Sequence, residues 1–187
     1  MLDSRRVISC DRAGTIAIWL ADDATHLQSL SGSAGRCLAV SSNMKYAVCA
    51  QTENSLRIWS LVRDDEKYTV SHSEEISCFV MTNDNTMVIT GSKDQSLKVW
   101  QLAGGKLTQV LVGHTDHVTC VAVSVTNKSQ VISGSKDANL IVWDIITGAD
   151  LFTLTGHLGY VTCVQLSADG TLAVSGILLK FSFGKKI

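Results

Sequence analysis

His114, His117 and Cys120 fall within seven residues of one another, a grouping of side-chain types that could ligate zinc. Ser133-Gly134-Ser135-Lys136 has the Ser-x-x-Lys order in which some acyl-transferring enzymes place a nucleophile. Gly104-Gly105-Lys106 resembles the end of a phosphate-binding loop. Each reading weakens in context. Strand alternation gives the two histidines and the cysteine no common coordination sphere, and a closed zinc site needs four ligands. The Ser-x-x-Lys motif needs a helix start and companion motifs, whereas here it recurs with threonine as Thr90-Gly91-Ser92-Lys93. The Gly-Gly-Lys run lacks the preceding glycine and following Ser/Thr of a phosphate loop. With no acid–base pair, nucleophile constellation or phosphate loop left, the sequence argues against an enzyme and implies no cofactor and no metal.

The elements that position these residues are repeats. The four tryptophans, Trp19, Trp59, Trp100 and Trp143, are 40, 41 and 43 residues apart. Cys37, Cys78, Cys120 and Cys163 are spaced by 41, 42 and 43. The phrase Ile89-Thr90-Gly91-Ser92-Lys93-Asp94 before Trp100 returns as Ile132-Ser133-Gly134-Ser135-Lys136-Asp137 before Trp143. Two markers with one period in this range are the sequence signature of a propeller of four-stranded units. In the best unit the expected strands are 118–124, 130–133, 140–144 and 150–154, rich in Val, Ile, Leu and Thr. Turn residues separate them, as in Lys136-Asp137-Ala138-Asn139 and Thr147-Gly148-Ala149. Helical periodicity is absent.

The expected fold is therefore all-β: an incomplete propeller of about four to four and a half blades, each of four antiparallel strands. The chain opens inside a unit, with the second and third strands preceding the end of Trp19's phrase. Repeat character runs over 1–176 and is lost in 177–187, where Leu179 stands at the turn-Asp position and Lys185 at the Trp position. Propellers typically close with four to eight blades, which protects strand edges. The abrupt departure predicts a fragment or truncated isoform of a larger protein. It also predicts association through unpaired blade edges.

Composition narrows the partners. Sixteen basic and 17 acidic residues give a formal charge of −1, so there is no long-range pull toward nucleic acid or an anionic membrane. No stretch approaches the roughly 20 apolar residues of a membrane span. The first residues, Met1-Leu2-Asp3-Ser4-Arg5-Arg6, have no signal-peptide core. Four of the six cysteines sit at one repeat position in apolar strands, where a free thiol acts as a small hydrophobe. The reading is a reduced, intracellular, cytoplasmic chain, in which the sequon Asn127-Lys128-Ser129 is irrelevant.

These phrases resemble the WD40 repeat family over nearly the whole chain up to about residue 176. The resemblance implies a hydrogen-bonded tetrad of His, Ser/Thr, Asp and Trp in each blade. The matching residues are His114, Ser133, Asp137 and Trp143 in one unit and His72, Thr90, Asp94 and Trp100 in another. The last unit offers His157 and Ser175. Around Trp59 the places hold Ser31, Cys49 and Glu53, and around Trp19 only Ser9 fits, with Ala13 at the Asp position. The family's Trp-Asp dipeptide occurs once, as Trp143-Asp144. The Val118-to-Ser124 wording also resembles the repeat region of NACHT-and-WD-repeat signalling proteins, which would make the chain part of a regulatory sensor region.

The resemblance implies a non-catalytic scaffold that binds protein partners, or a truncated product without independent function. Loops entering the first strand and joining the second to the third emerge on one propeller face. They carry Glu74, Glu75, Lys93, Gln95, Asp116, His117, Lys136 and Tyr160. Tyr160 and His117 are the anchor types expected at its centre.

Overall fold

The computed structural model describes residues 6–11, 15–30, 35–51, 54–62, 67–127 and 129–177. Ala13, Ser31, Glu53, Leu179 and Lys185 lie outside the described residues. The described chain forms five antiparallel sheets in sequence order, with no helix. The first has three strands, β1 (Arg6–Cys10), β2 (Ile16–Leu20) and β3 (His26–Leu30). The second is β4 (Gly35–Val40), β5 (Tyr46–Gln51), β6 (Ser55–Ser60) and β7 (Lys67–Ser71). The third is β8 (Ile76–Met81), β9 (Met87–Ser92), β10 (Ser96–Gln101) and β11 (Leu107–Val112). The fourth is β12 (Val118–Val123), β13 (Gln130–Ser135), β14 (Leu140–Asp144) and β15 (Asp150–Leu154). The fifth has two strands, β16 (Val161–Leu166) and β17 (Ala173–Ile177). The sheets are propeller blades that do not close: the first and fifth do not pair with each other.

The second strand of the fourth sheet is longer than its residue types suggest. It was expected at 130–133 but extends to Ser135, because Gly134 stays in the ladder opposite both Leu140 and Cys120. A β-bulge before each repeating cysteine makes this pairing. The register shifts between Gly35 and Cys37, Ile76 and Cys78, Val118 and Cys120, and Val161 and Cys163. In the third and fourth sheets the extra residue turns its hydroxyl toward the next sheet. Thr119 Oγ1 donates to Gly134 O at 3.0 Å and to Val161 O at 2.5 Å. Ser77 does the same to Gly91 O and Val118 O. The inner strands β8 and β12 are thus each tied to the next inner strand by a side chain.

The recurring glycine has a steric cause. A Cβ on Gly91 would lie 2.7 Å from Cys78 Sγ and 2.6 Å from Val118 Cγ1. At Gly134 the distances are 2.7 Å to Cys120 Sγ and 2.5 Å to Val161 Cγ1. No heavy atom fits there while the neighbours hold their places. The Gly–Cys repetition in the sequence is one packing contact repeated between blades.

The core lies between sheets and is built around the indoles. Trp59 packs with Ile16 and Ile18 of the first sheet. Trp100 packs with Val48, Leu56, Ile58 and Val70 of the second, and Trp143 with Ile89, Leu97, Val99 and Leu111 of the third. The last two groups of four occupy the same ladder positions. Each of these three tryptophans therefore fills an apolar cage on the preceding blade, removing about 150–250 Å² from water. Packing between layers is what makes one short-stranded sheet depend on the next.

Candidate interaction face

Beneath the loop face run polar chains that fix the loops. In the fourth sheet Trp143 Nε1 donates to Ser133 Oγ at 2.8 Å. Ser133 Oγ lies 2.8 Å from His114 Nε2, and His114 Nδ1 lies 2.8 Å from Asp137 Oδ2. The Thr115 and Asn139 backbone N–H groups also donate to the Asp137 carboxylate, at 3.0 and 2.9 Å. One carboxylate thus joins the incoming loop, the β13–β14 turn and, through the imidazole, the sheet interior.

The third sheet repeats the arrangement. Trp100 Nε1 donates to Thr90 Oγ1 at 2.9 Å, Thr90 Oγ1 lies 2.7 Å from His72 Nε2, and His72 Nδ1 lies 2.9 Å from Asp94 Oδ2. The Ser96 hydroxyl donates to the other Asp94 oxygen at 2.6 Å, and the Ser73 hydroxyl and N–H donate to Oδ2. Burial pushes the His72 imidazole below its ordinary 6.5, and the hydrogen bond and charge of Asp94 offset this only in part. His72 is therefore neutral near pH 7. With Nδ1–H donating to Asp94, Nε2 accepts the Thr90 hydroxyl proton and the Thr90 oxygen accepts the Trp100 N–H, so every group is satisfied. Burial raises the Asp94 carboxyl, but the hydrogen bonds from Ser96 and His72 outweigh it and hold the group well below the carboxylate range. Asp137 is also lowered: its hydrogen bonds from Thr115, Asn139 and His114 outweigh burial.

The other units carry parts of the chain. His157 Nε2 lies 2.7 Å from Ser175 Oγ in the fifth sheet. Trp19 Nε1 donates to Ser9 Oγ at 3.0 Å in the first. Cys49, at the hydroxyl position of the second sheet, is buried beside Trp59.

Above these chains the loops converge in pairs. Backbone bonds lace each incoming loop to its turn: Lys93 N–H donates to Glu75 O at 3.0 Å, and Lys136 N–H to His117 O at 2.9 Å. Lys93 Nζ pairs with Glu75 Oε2 at 2.6 Å, an exposed ion pair worth about 0–1 kcal/mol. Glu74 is exposed beside it. Gln95 takes the left-handed turn position, φ 71°, as Ala138 does at φ 67° one blade later. The Lys136 ammonium sits over the Tyr160 ring, 5.8 Å from its centroid, joining the fourth blade's turn to the fifth blade's loop. His117 is partly exposed, with Asp116 Oδ1 3.9 Å from its Nε2 and with Nδ1 buried without a hydrogen-bond partner among the described residues. His117, Lys136 and Tyr160 thus gather at one blade junction, whereas Glu74 and Lys93 belong to the previous junction. Leu158, 96 % exposed two residues before Tyr160, was missed as a surface anchor. Its signal was a large apolar side chain in the Gly156-His157-Leu158-Gly159 loop.

Among the described residues no group of three His, Cys, Asp or Glu side chains could hold a metal ion. Among the described residues no helix is long and apolar enough to cross a membrane. His114 is committed to Ser133 and Asp137, and Cys120 faces Gly134, so the two do not converge with His117.

Comparison with known proteins gives the same picture. The family model for the WD domain, G-beta repeat, matches residues 65–101, 105–144 and 148–182. Autophagy-related protein 16 of Arabidopsis thaliana is 30% identical over 65% of this chain and 25% of its own length. The guanine nucleotide-binding protein subunit beta of Lymnaea stagnalis is 26% identical over 65% of this chain and 38% of its own. Small ribosomal subunit protein RACK1 of Drosophila melanogaster is 35% identical over 33% of this chain and 22% of its own. The chain spans well under half the length of these relatives.

Proposed function

The chain belongs to the WD40 repeat family, and from that premise we propose that it is a non-catalytic scaffold whose protein contacts centre on His117, Lys136 and Tyr160. The observation that carries this reading is the blade junction itself. The Lys136–Tyr160 contact presents an exposed aromatic ring beside exposed Leu158, on loops whose backbone is held by the Asp137 carboxylate. Rigid loops with an aromatic anchor lose little entropy on binding, the condition for an efficient protein contact. Glu74, Lys93 and Asp116 form the charged rim, which adjusts specificity and association rate more than affinity.

Part of a larger protein is the reading for the chain as a whole, supported by the 25% and 38% shares it covers of the plant and molluscan relatives. A reduced, cytoplasmic setting fits the free thiols of Cys120 and Cys163. The regulatory sensor region of a NACHT-type protein is a narrower form of the same reading, and no feature of the described residues favours it over a general scaffold. The repeat region of this proposal is 1–176.

The test is affinity capture from cell extract with the wild-type chain, Tyr160→Ala and His117→Ala, compared with Asp150→Ala on the outer strand. A protein set retained by wild type and Asp150→Ala but lost with the loop variants is the expected result. Identical sets from all four would overturn the proposed face.

A further inference from the structure

The third and fourth blades carry the same turn lysine in different company. Lys93 and Lys136 follow Ser92 and Ser135, whose hydroxyls donate to Glu74 O and Asp116 O at 3.1 and 2.9 Å. The two lysine N–H groups donate to Glu75 O and His117 O at 3.0 and 2.9 Å. Glu75 and His117 each stand one residue before an inner strand, which starts at Ile76 in one blade and Val118 in the other. The backbone is thus laced alike in both blades, and His117 occupies the place of Glu75.

The side chains differ in charge. Lys93 Nζ is neutralised by Glu75 Oε2 at 2.6 Å. Among the described residues Lys136 Nζ has neither an ion pair nor a hydrogen bond, and it lies over the Tyr160 ring, 5.8 Å from the centroid. A ring face attracts the cation but supplies no oxygen to its N–H donors. Asp116 is turned to the imidazole instead: its Oδ1 accepts the His117 N–H at 2.6 Å and lies 3.9 Å from Nε2. Asp137 is held by His114, Thr115 and Asn139, as Asp94 is by His72, Ser73 and Ser96, so these buried acids act alike on the two lysines. The exchange of Glu75 for His117 therefore removes the counter-charge from one of two otherwise matching cations.

We infer that the partner of this face presents an acidic segment, one carboxylate of which takes at Lys136 the place that Glu75 holds at Lys93. The inference rests on the loop-face reading and adds the chemical class of the partner. A singly charged carboxylate suits one ammonium with Asp116 and Asp137 nearby, whereas a phosphate calls for more positive charge. Glu74, exposed on the third blade, and Glu75 repel an acidic segment there, so it is confined to the junction of the fourth blade with the fifth. The half-exposed Tyr160 ring gives the residues flanking that carboxylate an apolar wall.

The probe is a short rhodamine-labelled peptide of alternating leucine and glutamate, with counterparts carrying glutamine or lysine in place of glutamate. Each is titrated against the full chain by fluorescence anisotropy. The glutamate peptide is expected to bind about tenfold more tightly than the glutamine peptide, and less tightly as salt is added. His117→Glu installs the counter-charge found at Lys93 and is expected to remove that advantage. Lys136→Glu is expected to reverse it, with the lysine peptide bound best, a result that unfolding cannot produce. A glutamate peptide bound no better than the glutamine peptide, or an advantage that survives both substitutions, would overturn the inference. Tyr160→Ala separates it from the reading beneath it. Peptides bound without regard to charge but lost in Tyr160→Ala would remove the acidic partner and leave the loop face standing. Peptides indifferent to charge and to Tyr160→Ala would remove both.

Discussion

Gly134 and Cys120 oppose each other across the β12–β13 ladder so closely that a Cβ on the glycine would stand 2.7 Å from the cysteine sulfur. Val161 of the next blade closes the other side at 2.5 Å. Gly134→Ala is therefore expected to destabilise by about 1–3 kcal/mol, the usual cost of overpacking. Ala50 holds the matching position in the second sheet, so a methyl group is compatible with the ladder where the surroundings are set for it. Cys120→Ala should recover part of the loss. A double-mutant cycle by urea denaturation measures the coupling, and zero coupling would refute the contact as the cause.

Asp137 accepts hydrogen bonds from two backbone groups and orients His114, whereas Asp150 lies exposed on β15. Asp137→Ala leaves those donors without a charged acceptor and is expected to cost about 2–3 kcal/mol. Asp150→Ala should fall within about 0.5 kcal/mol of wild type. Thermal unfolding of the pair checks this, and equal midpoints would count against the structural role of the polar chain.

Acid should weaken the fold in two stages. His72 has a folded pKa below its ordinary 6.5, so the unfolded chain binds the proton more readily. Stability contributed by neutral His72 is present above 6.5 and declines as pH falls below it. Asp94 and Asp137 are also lowered, from 3.8, so their contribution is full above that value and is lost as pH falls further. Denaturant midpoints measured from pH 7.5 to 3 should hold down to about 6.5, decline below it, and decline again as the carboxylate range is reached. His72→Gln should flatten the first stage and leave the second, and an unchanged profile in that variant would exclude His72 as its source.

Thiol reactivity should follow position in the blade stack. Cys163 is exposed on the last inner strand, while Cys49 is buried between the first and second sheets. Burial also pushes the Cys120 thiol up, which suppresses the reactive thiolate. Alkylation followed by peptide mapping should label Cys163 first and Cys49 last among these. Rapid labelling of Cys49 in the native chain would contradict the packing of the first two sheets.

Residues that act within one repeat were legible in the sequence. His114, Ser133, Asp137 and Trp143 belong to one period, and the resemblance to the WD40 family implied a polar chain among them. The strands around them followed from the same spacing, except that β13 ran on because Gly134 admits a close ladder contact that residue type alone does not show. Relations between repeats were not legible. Lys136 meets Tyr160 across a blade junction, and no local pattern links a lysine in a turn with a tyrosine 24 residues later. The cages were hidden for the same reason: Trp143 packs on Ile89 and Leu97 of the preceding blade, so its apolar partners lie outside its own repeat. Ala13, Ser31 and Glu53, expected as degraded positions, lie outside the described residues and add nothing to the comparison.

The most direct measurement of the scaffold reading is hydrogen–deuterium exchange on the chain with and without a partner obtained by capture. Protection confined to the loops around His117, Lys136 and Tyr160, with the β15 and β17 strands unchanged, is the expected result. Protection confined to those strands, or none on the loop face, would contradict it.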